Sequence, residues 1–303
     1  MAESTPISWK IIAAFVGIYF VWGSTYLAIA LALEGFPPFT LAGIRFFTAG
    51  FLLFLFCKYK RQKITSVRAI FRTSVIGILL LLFGSGSVIW VEQYLPTGLT
   101  SIVWAFLPIW LIVLDYNQWK QYFKNKWLIA GLIIGFAGIV LLFSDKTALD
   151  FNNRDVLINF FIAIGGTILF SIGSLLAKYG KKIEMATTMK AAIQMMVAGA
   201  VSILVAFLIG ETDQVIWSEI SFNAIWGLFF LIFFGSIVAY LSYVWLLEKV
   251  SPAIVGTYTY INPLIAVFLG WSILGETISP KQLIALTIVL TGVILANINK
   301  PAR

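Results

Sequence analysis

The stretch PPFTLAGIRFFTAGFLLFLF, residues 37–56, is apolar enough to cross a bilayer, yet Arg45 stands a little short of halfway along it. A guanidinium at mid-membrane costs at least roughly 2.5 kcal/mol, so the segment makes sense only beside helices that can receive the charge. The rest of the chain supplies them. Of its 303 residues, 60% are hydrophobic and 11% charged, too few charges to cover a soluble surface of this size. Apolar runs of about 20 residues, enough to cross roughly 30 Å of hydrocarbon, recur along the whole length. They fall at 11–31, 38–57, 71–91, 97–116, 127–143, 156–178, 187–209, 223–247, 252–273 and 281–298. The sequence therefore predicts an all-α membrane protein with ten transmembrane helices. The first span is longer than a signal-peptide core and lacks a small-residue cleavage site, so it is kept as a helix.

Charge position sets the orientation. The formal net charge is +8, and by alternate loops 17 of the 21 cations fall on one side, among them Lys58, Arg72, Lys120, Lys178, Lys190 and Lys249. The other side holds Lys146, Arg154 and Lys281 together with nine of the 13 acids. Cationic loops stay in the cytoplasm, so both termini are read as cytoplasmic, and an even number of spans puts them on the same side. The basic balance reports topology, and no nucleic-acid partner is expected. The expected partners are the lipid bilayer of a cell (inner) membrane and a small-molecule substrate. Cys57 is the one cysteine and histidine is absent, which excludes an intrachain disulfide and removes the commonest metal ligand and proton shuttle. No metal-ligand spacing, phosphate loop, Rossmann fingerprint or G-x-S-x-G occurs. No metal, cofactor or catalytic residue is expected. An enzyme would need a nucleophile–base or metal pair at depth, and the sequence offers neither.

The prolines reveal an internal repeat. Pro96 and Pro252 each open a helix, where a missing N–H costs nothing, and Pro108 and Pro263 follow 12 and 11 residues later. VEQYLP (91–96) matches LEKVSP (247–252), AGIVLL (137–142) resembles TGVILA (291–296), and WGSTYLA (22–28) resembles IGSLLAK (172–178). The offset stays near 150–156. The halves are read as 1–148 and 149–303, each with five spans. An odd number turns the second copy over, giving two inverted five-helix repeats around a central cavity. Pro108 and Pro263 are read as kinks in symmetry-related helices around it; plain structural kinks that neighbouring helices satisfy are the alternative.

Spacings of three, four and seven share a helix face. Tyr19, Trp22 and Tyr26 form such a stripe, as do Ser87 with Trp90, and Ser171 and Ser174 with Lys178. Ser236, Tyr240 and Tyr243 make another, and Tyr258 with Asn262 a fifth; Trp104 precedes Pro108 as Thr259 precedes Pro263. Aromatic and hydroxyl groups at mid-depth suit an amphipathic organic solute, and packing with interhelical hydrogen bonds is the competing reading. Arg45 is expected to meet Glu92 at the outer vestibule as a gate, receiving an anionic group of the substrate, unless it is a purely structural anchor. Glu248, the repeat partner of Glu92, falls at the inner mouth. Gly131, Gly135 and Gly138 make a small-residue face, which places the fifth and tenth spans at the periphery, as struts or as a dimer surface. A monomer is expected.

FVWGSTYLAI (20–29), PPFTLAGIRFFTAG (37–50), VEQYLPTGLTSIVWAFLPIW (91–110) and YTYINPLIAVFLGWSILGETIS (258–279) resemble the drug/metabolite transporter superfamily. Within it they are most similar to the EamA-type ten-helix members of the YedA-like branch. The resemblance covers nearly the whole chain. It implies two inverted five-helix repeats around a central cavity, and export or exchange of small metabolites such as amino acids or drug-like solutes. One departure is visible: the Gly275-Glu276 pair after the ninth span has no counterpart in DYNQWKQYFKNK (115–126). The expected function is an alternating-access carrier; a passive facilitator or channel is the alternative.

Overall fold

The structure, a computed structural model, describes residues 9–95, 97–143, 153–274 and 279–298. Among these residues all regular structure is helical and no strand occurs. Helix α1 is Trp9–Leu33, α2 Pro38–Tyr59 and α3 Val67–Val91; α4 (Thr97–Trp104) and α5 (Leu107–Leu114) follow, then the short α6 (Trp119–Lys124) and α7 (Lys126–Phe143). The second half has α8 (Arg154–Tyr179), α9 (Thr187–Leu208), α10 (Phe222–Lys249), α11 (Pro252–Gly256), α12 (Tyr258–Leu274) and α13 (Pro280–Ile298). Six of them, α1, α2, α3, α8, α9 and α10, are each long and apolar enough to cross a membrane. A bent pair, Tyr116–Lys124 with Lys126–Leu141 at 94°, would make a seventh.

Local chemistry sets the ends. Ser66, Asn153 and Ser221 accept hydrogen bonds from the first backbone N–H groups of α3, α8 and α10, satisfying donors that have no partner within the helix. Pro38 and Pro252 occupy first positions, where proline is tolerated.

The spans predicted at 97–116 and 252–273 are each in two pieces. Pro108 has no N–H for the Trp104 carbonyl, so α4 stops at Trp104 and Pro108 becomes the second residue of α5. This is an interruption rather than the expected kink. In the second half the break comes at Thr257, and Pro263 lies inside α12. Pro96 and Gly275-Glu276 lie outside the described residues.

The repeat reappears in backbone geometry. Within α3, residues Ile78–Ser85 are π-helical, and within α10 so are Leu231–Val238. Each segment has 8 residues, and they begin 153 positions apart.

Glycines mark the closest helix approaches. Gly43 packs on Ile203, Phe47 on Gly199 and Gly50 on Met196, so α2 and α9 run antiparallel. Likewise Gly131 meets Ala296, Gly135 meets Gly292 and Gly138 meets Val289, so α7 and α13 are antiparallel too. These are the sequence-equivalent helices of the two halves, and the predicted glycine face of α7 lies in this contact. The α7–α13 pair has its own apolar core around Tyr260, Leu132 and Val289, separate from the main one. Large side chains such as Phe20, Phe51, Phe71 and Phe207 remain exposed on the outside, where acyl chains rather than water would meet them.

Candidate functional site

The two π-helical segments build the centre. A π turn leaves carbonyls off the regular i→i−4 ladder and is frequent at functional sites. In α10 the Gly235 carbonyl accepts the Trp22 indole N–H at 3.0 Å, and the Ser236 hydroxyl accepts Arg45 Nε–H at 2.9 Å. Gly235 is small for a reason: a Cβ there would lie 3.0 Å from Arg45 Nη2. Ser85, at the end of the α3 segment, and Arg45, held by Ser236 of α10, both line a central cavity of about 50 Å³. Trp22, Tyr26, Trp104 and Tyr258 form its walls, with Thr25, Asn262 and Arg45 as polar lining. Arg45 is 4% exposed, and Nε to Ser236 is its one hydrogen bond among the described residues. The Trp104 indole N–H and the Asn262 side-chain carbonyl are buried there with no partner among the described residues.

A second cavity of about 1100 Å³ opens at the end of the bundle that carries Arg72, Lys178, Lys181, Lys182 and Lys190. Glu184 and Glu248 also line it. Between the two cavities lies a plug of rings. Trp22 stands 5.2 Å from Tyr243 and 4.7 Å from Tyr258, Phe170 stands 5.2 Å from Tyr243, and Trp104 is 5.3 Å from Phe170. Two hydrogen bonds hold it: Ser174 with Tyr243 at 2.7 Å, and Tyr240 donating to Gln194 at 2.9 Å. Gln194 itself lines the larger cavity, so the plug is its floor.

A small cavity of polar and aromatic groups under a wide vestibule is the architecture of a solute pathway, and the comparisons agree. The EamA-like transporter family profile matches residues 9–144 and again 157–298. The chain belongs to the EamA-like transporter family. It is 34% identical over 95% of its length, and 90% of the relative's, to "Uncharacterized inner membrane transporter YedA" of Escherichia coli K12. It is 23% identical over 94% of its length, and 96% of the relative's, to "Uncharacterized transporter YoaV" of Bacillus subtilis. One crystal structure superposes with a TM-score of 0.74 at 16% identity, covering 96% of this chain and 98% of that one. That likeness shows the fold alone.

In this EamA-family chain the predicted residues separate into groups. Trp22, Tyr26, Trp104, Tyr258 and Asn262 line the central cavity; Ser174, Tyr240 and Tyr243 belong to the plug. Glu248 stands at the larger vestibule, paired with Lys190 and accepting from Thr187 at 2.8 Å. Four others lie outside both cavities. Ser87 donates to the Gly84 carbonyl and packs against Gly166. Trp90 donates to Asn159 at 3.0 Å, Ser171 bonds the Thr167 carbonyl within α8, and Tyr19 shares a 3.3 Å hydrogen bond with Thr257.

The expected Arg45–Glu92 gate needs correction. Arg45 turns toward α10 and the central cavity, where Gly235 leaves room and Ser236 accepts its Nε–H, and it makes no ion pair with Glu92. Both Glu92 carboxylate oxygens are buried without a partner among the described residues, near Tyr26.

Sequence reasoning missed three features. Phe170 completes the plug but reads as one apolar residue among many. Asp115, at the end of the span predicted at 97–116, is buried and accepts from Tyr122 at 2.7 Å and Tyr179 at 3.0 Å. Burial pushes the Tyr122 phenol above its usual range, and the Asp115 carboxylate adds to the effect. Glu211, beyond α9, accepts from the Thr40 backbone N–H at 2.9 Å and so caps α2. Burial raises its carboxyl and the Thr40 and Phe39 N–H groups oppose the rise. No periodic signal could have found a cap 171 residues away.

Proposed function

We propose that this protein is an alternating-access carrier of small organic metabolites, such as amino acids or drug-like solutes, working as an exporter or exchanger in the cell (inner) membrane. Its ten spans form two inverted five-helix repeats, residues 1–148 and 149–303, with both termini cytoplasmic. The antiparallel packing of α2 on α9 and of α7 on α13 supports the inversion. The gathering of Arg72 and the lysines of residues 178–190 around one vestibule supports a cytoplasmic mouth there.

The observation that carries the reading is the plug between the two cavities. An alternating-access site must be closed on at least one side at a time, and rings from α1, α4, α8, α10 and α12 close this one. In the described state the plug shuts the central cavity off from the vestibule read as cytoplasmic. In a state open to that side the plug's helices would separate, and in a state open to the other side the plug would stay closed while the outer ends of α1, α2 and α3 part. A passive facilitator needs no such closure.

Counterflow in proteoliposomes tests it. Purified protein loaded with an unlabelled metabolite mixture should accumulate labelled external solute transiently, with a saturable rate. Flux that rises linearly with concentration and never shows counterflow would establish a channel instead.

A further inference from the structure

We infer that the central cavity binds its solute through a carboxylate, received by the terminal nitrogens of Arg45, so that the substrates are small organic acids or zwitterions with a flat or apolar body. This rests on the carrier reading of the same site and names its substrate class.

Arg45 is a cation whose charge has no partner among the described residues. It is nine-tenths or more buried, lies at mid-depth of a membrane-spanning helix, and among the described residues has no carboxylate within ion-pair distance. Leaving one charge of a buried pair uncompensated is strongly unfavourable. A structural anchor would place an acid or several carbonyls around the guanidinium. Here Ser236 takes Nε alone, and Phe46 lies under the guanidinium at 4.8 Å. Nε is tethered, one face is covered, and Gly235 gives the group room. What is left is the two-nitrogen edge, the part that matches a carboxylate with two parallel hydrogen bonds.

The rest of the cavity fits the same ligand. The Trp104 N–H is a second unused donor, and the Asn262 carbonyl an unused acceptor suited to an amino or hydroxyl group beside the carboxylate. Trp22 and Tyr258 supply flat walls. The present volume of about 50 Å³ holds one such polar group and no more, so the solute's body must occupy space that opens when the ring plug parts. Along the way in, five cations and two acids line the vestibule, a balance that raises the local concentration of anions.

The test uses the full-length protein in lipid nanodiscs and matched probes: phenylalanine against phenylalaninamide, and benzoate against benzamide. Binding is read by tryptophan fluorescence and thermal shift. Replacing the charged acceptor by a neutral amide should weaken binding at least about tenfold. Arg45→Gln should abolish the preference, and Arg45→Lys should retain part of it. Equal affinity for acid and amide on the unaltered protein would overturn the proposal, and needs no variant to fold. So would undiminished carboxylate binding by folded Arg45→Gln. Counterflow separates the two layers of the reading. Saturable exchange of amines or amides that is indifferent to Arg45→Gln removes the carboxylate site and leaves the carrier standing. Carboxylate selectivity in nanodiscs without saturable counterflow of any probe removes the carrier and leaves the site.

Discussion

The hydrogen bond from Ser174 to Tyr243 gives a direct test of the plug. Tyr243→Phe keeps the ring against Trp22 and Phe170 and deletes only the hydroxyl that reaches Ser174 at 2.7 Å. Hydrogen bonds between membrane helices average about 0.6 kcal/mol, with about 1.7 at the upper end. The open fraction of the plug should therefore rise about threefold, and by less than about twentyfold. Tyr243→Ala, which also removes the ring, should exceed that range. The readout is the modification rate of a cysteine placed at Ser85 in the central cavity, in a Cys57→Ser background, using a polar thiol reagent from the lysine-rich side. Ser174→Ala should raise the rate as well, and because both changes delete the same bond, the double variant should fall short of their product. The reasoning fails if Tyr243→Ala labels no faster than the parent protein, or if the two conservative changes multiply independently.

Four further outcomes follow from the packing and the buried polar groups. Gly50→Val should lower the thermal unfolding temperature in detergent by an amount matching an overpacked core, about 1–3 kcal/mol. Its Cβ would lie 2.5 Å from the Met196 backbone nitrogen and 2.9 Å from the Ala192 carbonyl, atoms that cannot rotate away. Gly165→Ala, with open space beside it, should be neutral or slightly stabilising in the same melt. Asp115→Ala strands the phenols of Tyr122 and Tyr179 and should cost about 2–3 kcal/mol in the same assay. Because the Tyr122 phenol is raised in the fold, its contribution is complete below the ordinary tyrosine value near pH 10 and is lost as pH climbs toward the folded value. Tyrosinate absorbance should show a step displaced above the ordinary tyrosine range that Tyr122→Phe deletes.

Much of the wall chemistry was legible because a stripe at helical spacing must point one way. Trp22 and Tyr26 on α1 and Tyr258 and Asn262 on α12 were found as stripes, and they line the cavity. The same rule produced Ser87, Trp90 and Ser171, whose polar atoms are spent on neighbouring helices. Periodicity says that residues share a face; it does not say what that face meets. Tyr19 shows the limit plainly, since it sits one turn from Trp22 and yet bonds Thr257 outside the cavity. The helix breaks were half legible: proline chemistry marks where a carbonyl is freed, but whether the chain kinks or parts depends on what neighbouring helices supply.

By itself the sequence determined a membrane-spanning all-helical chain, its duplication and a strongly one-sided charge distribution. Each follows from local physics: run length against bilayer thickness, a constant offset, and the positions of lysine and arginine. Tertiary structure decided where Arg45 points. On one helix the guanidinium can snorkel outward to Glu92 or turn inward. Only the π-helical turn of α10, 191 residues later in the chain, places Ser236 and the bare backbone of Gly235 where the inward course is taken. It also decided that rings from separate helices close on one another, because a contact between distant segments exists only once the helices are packed.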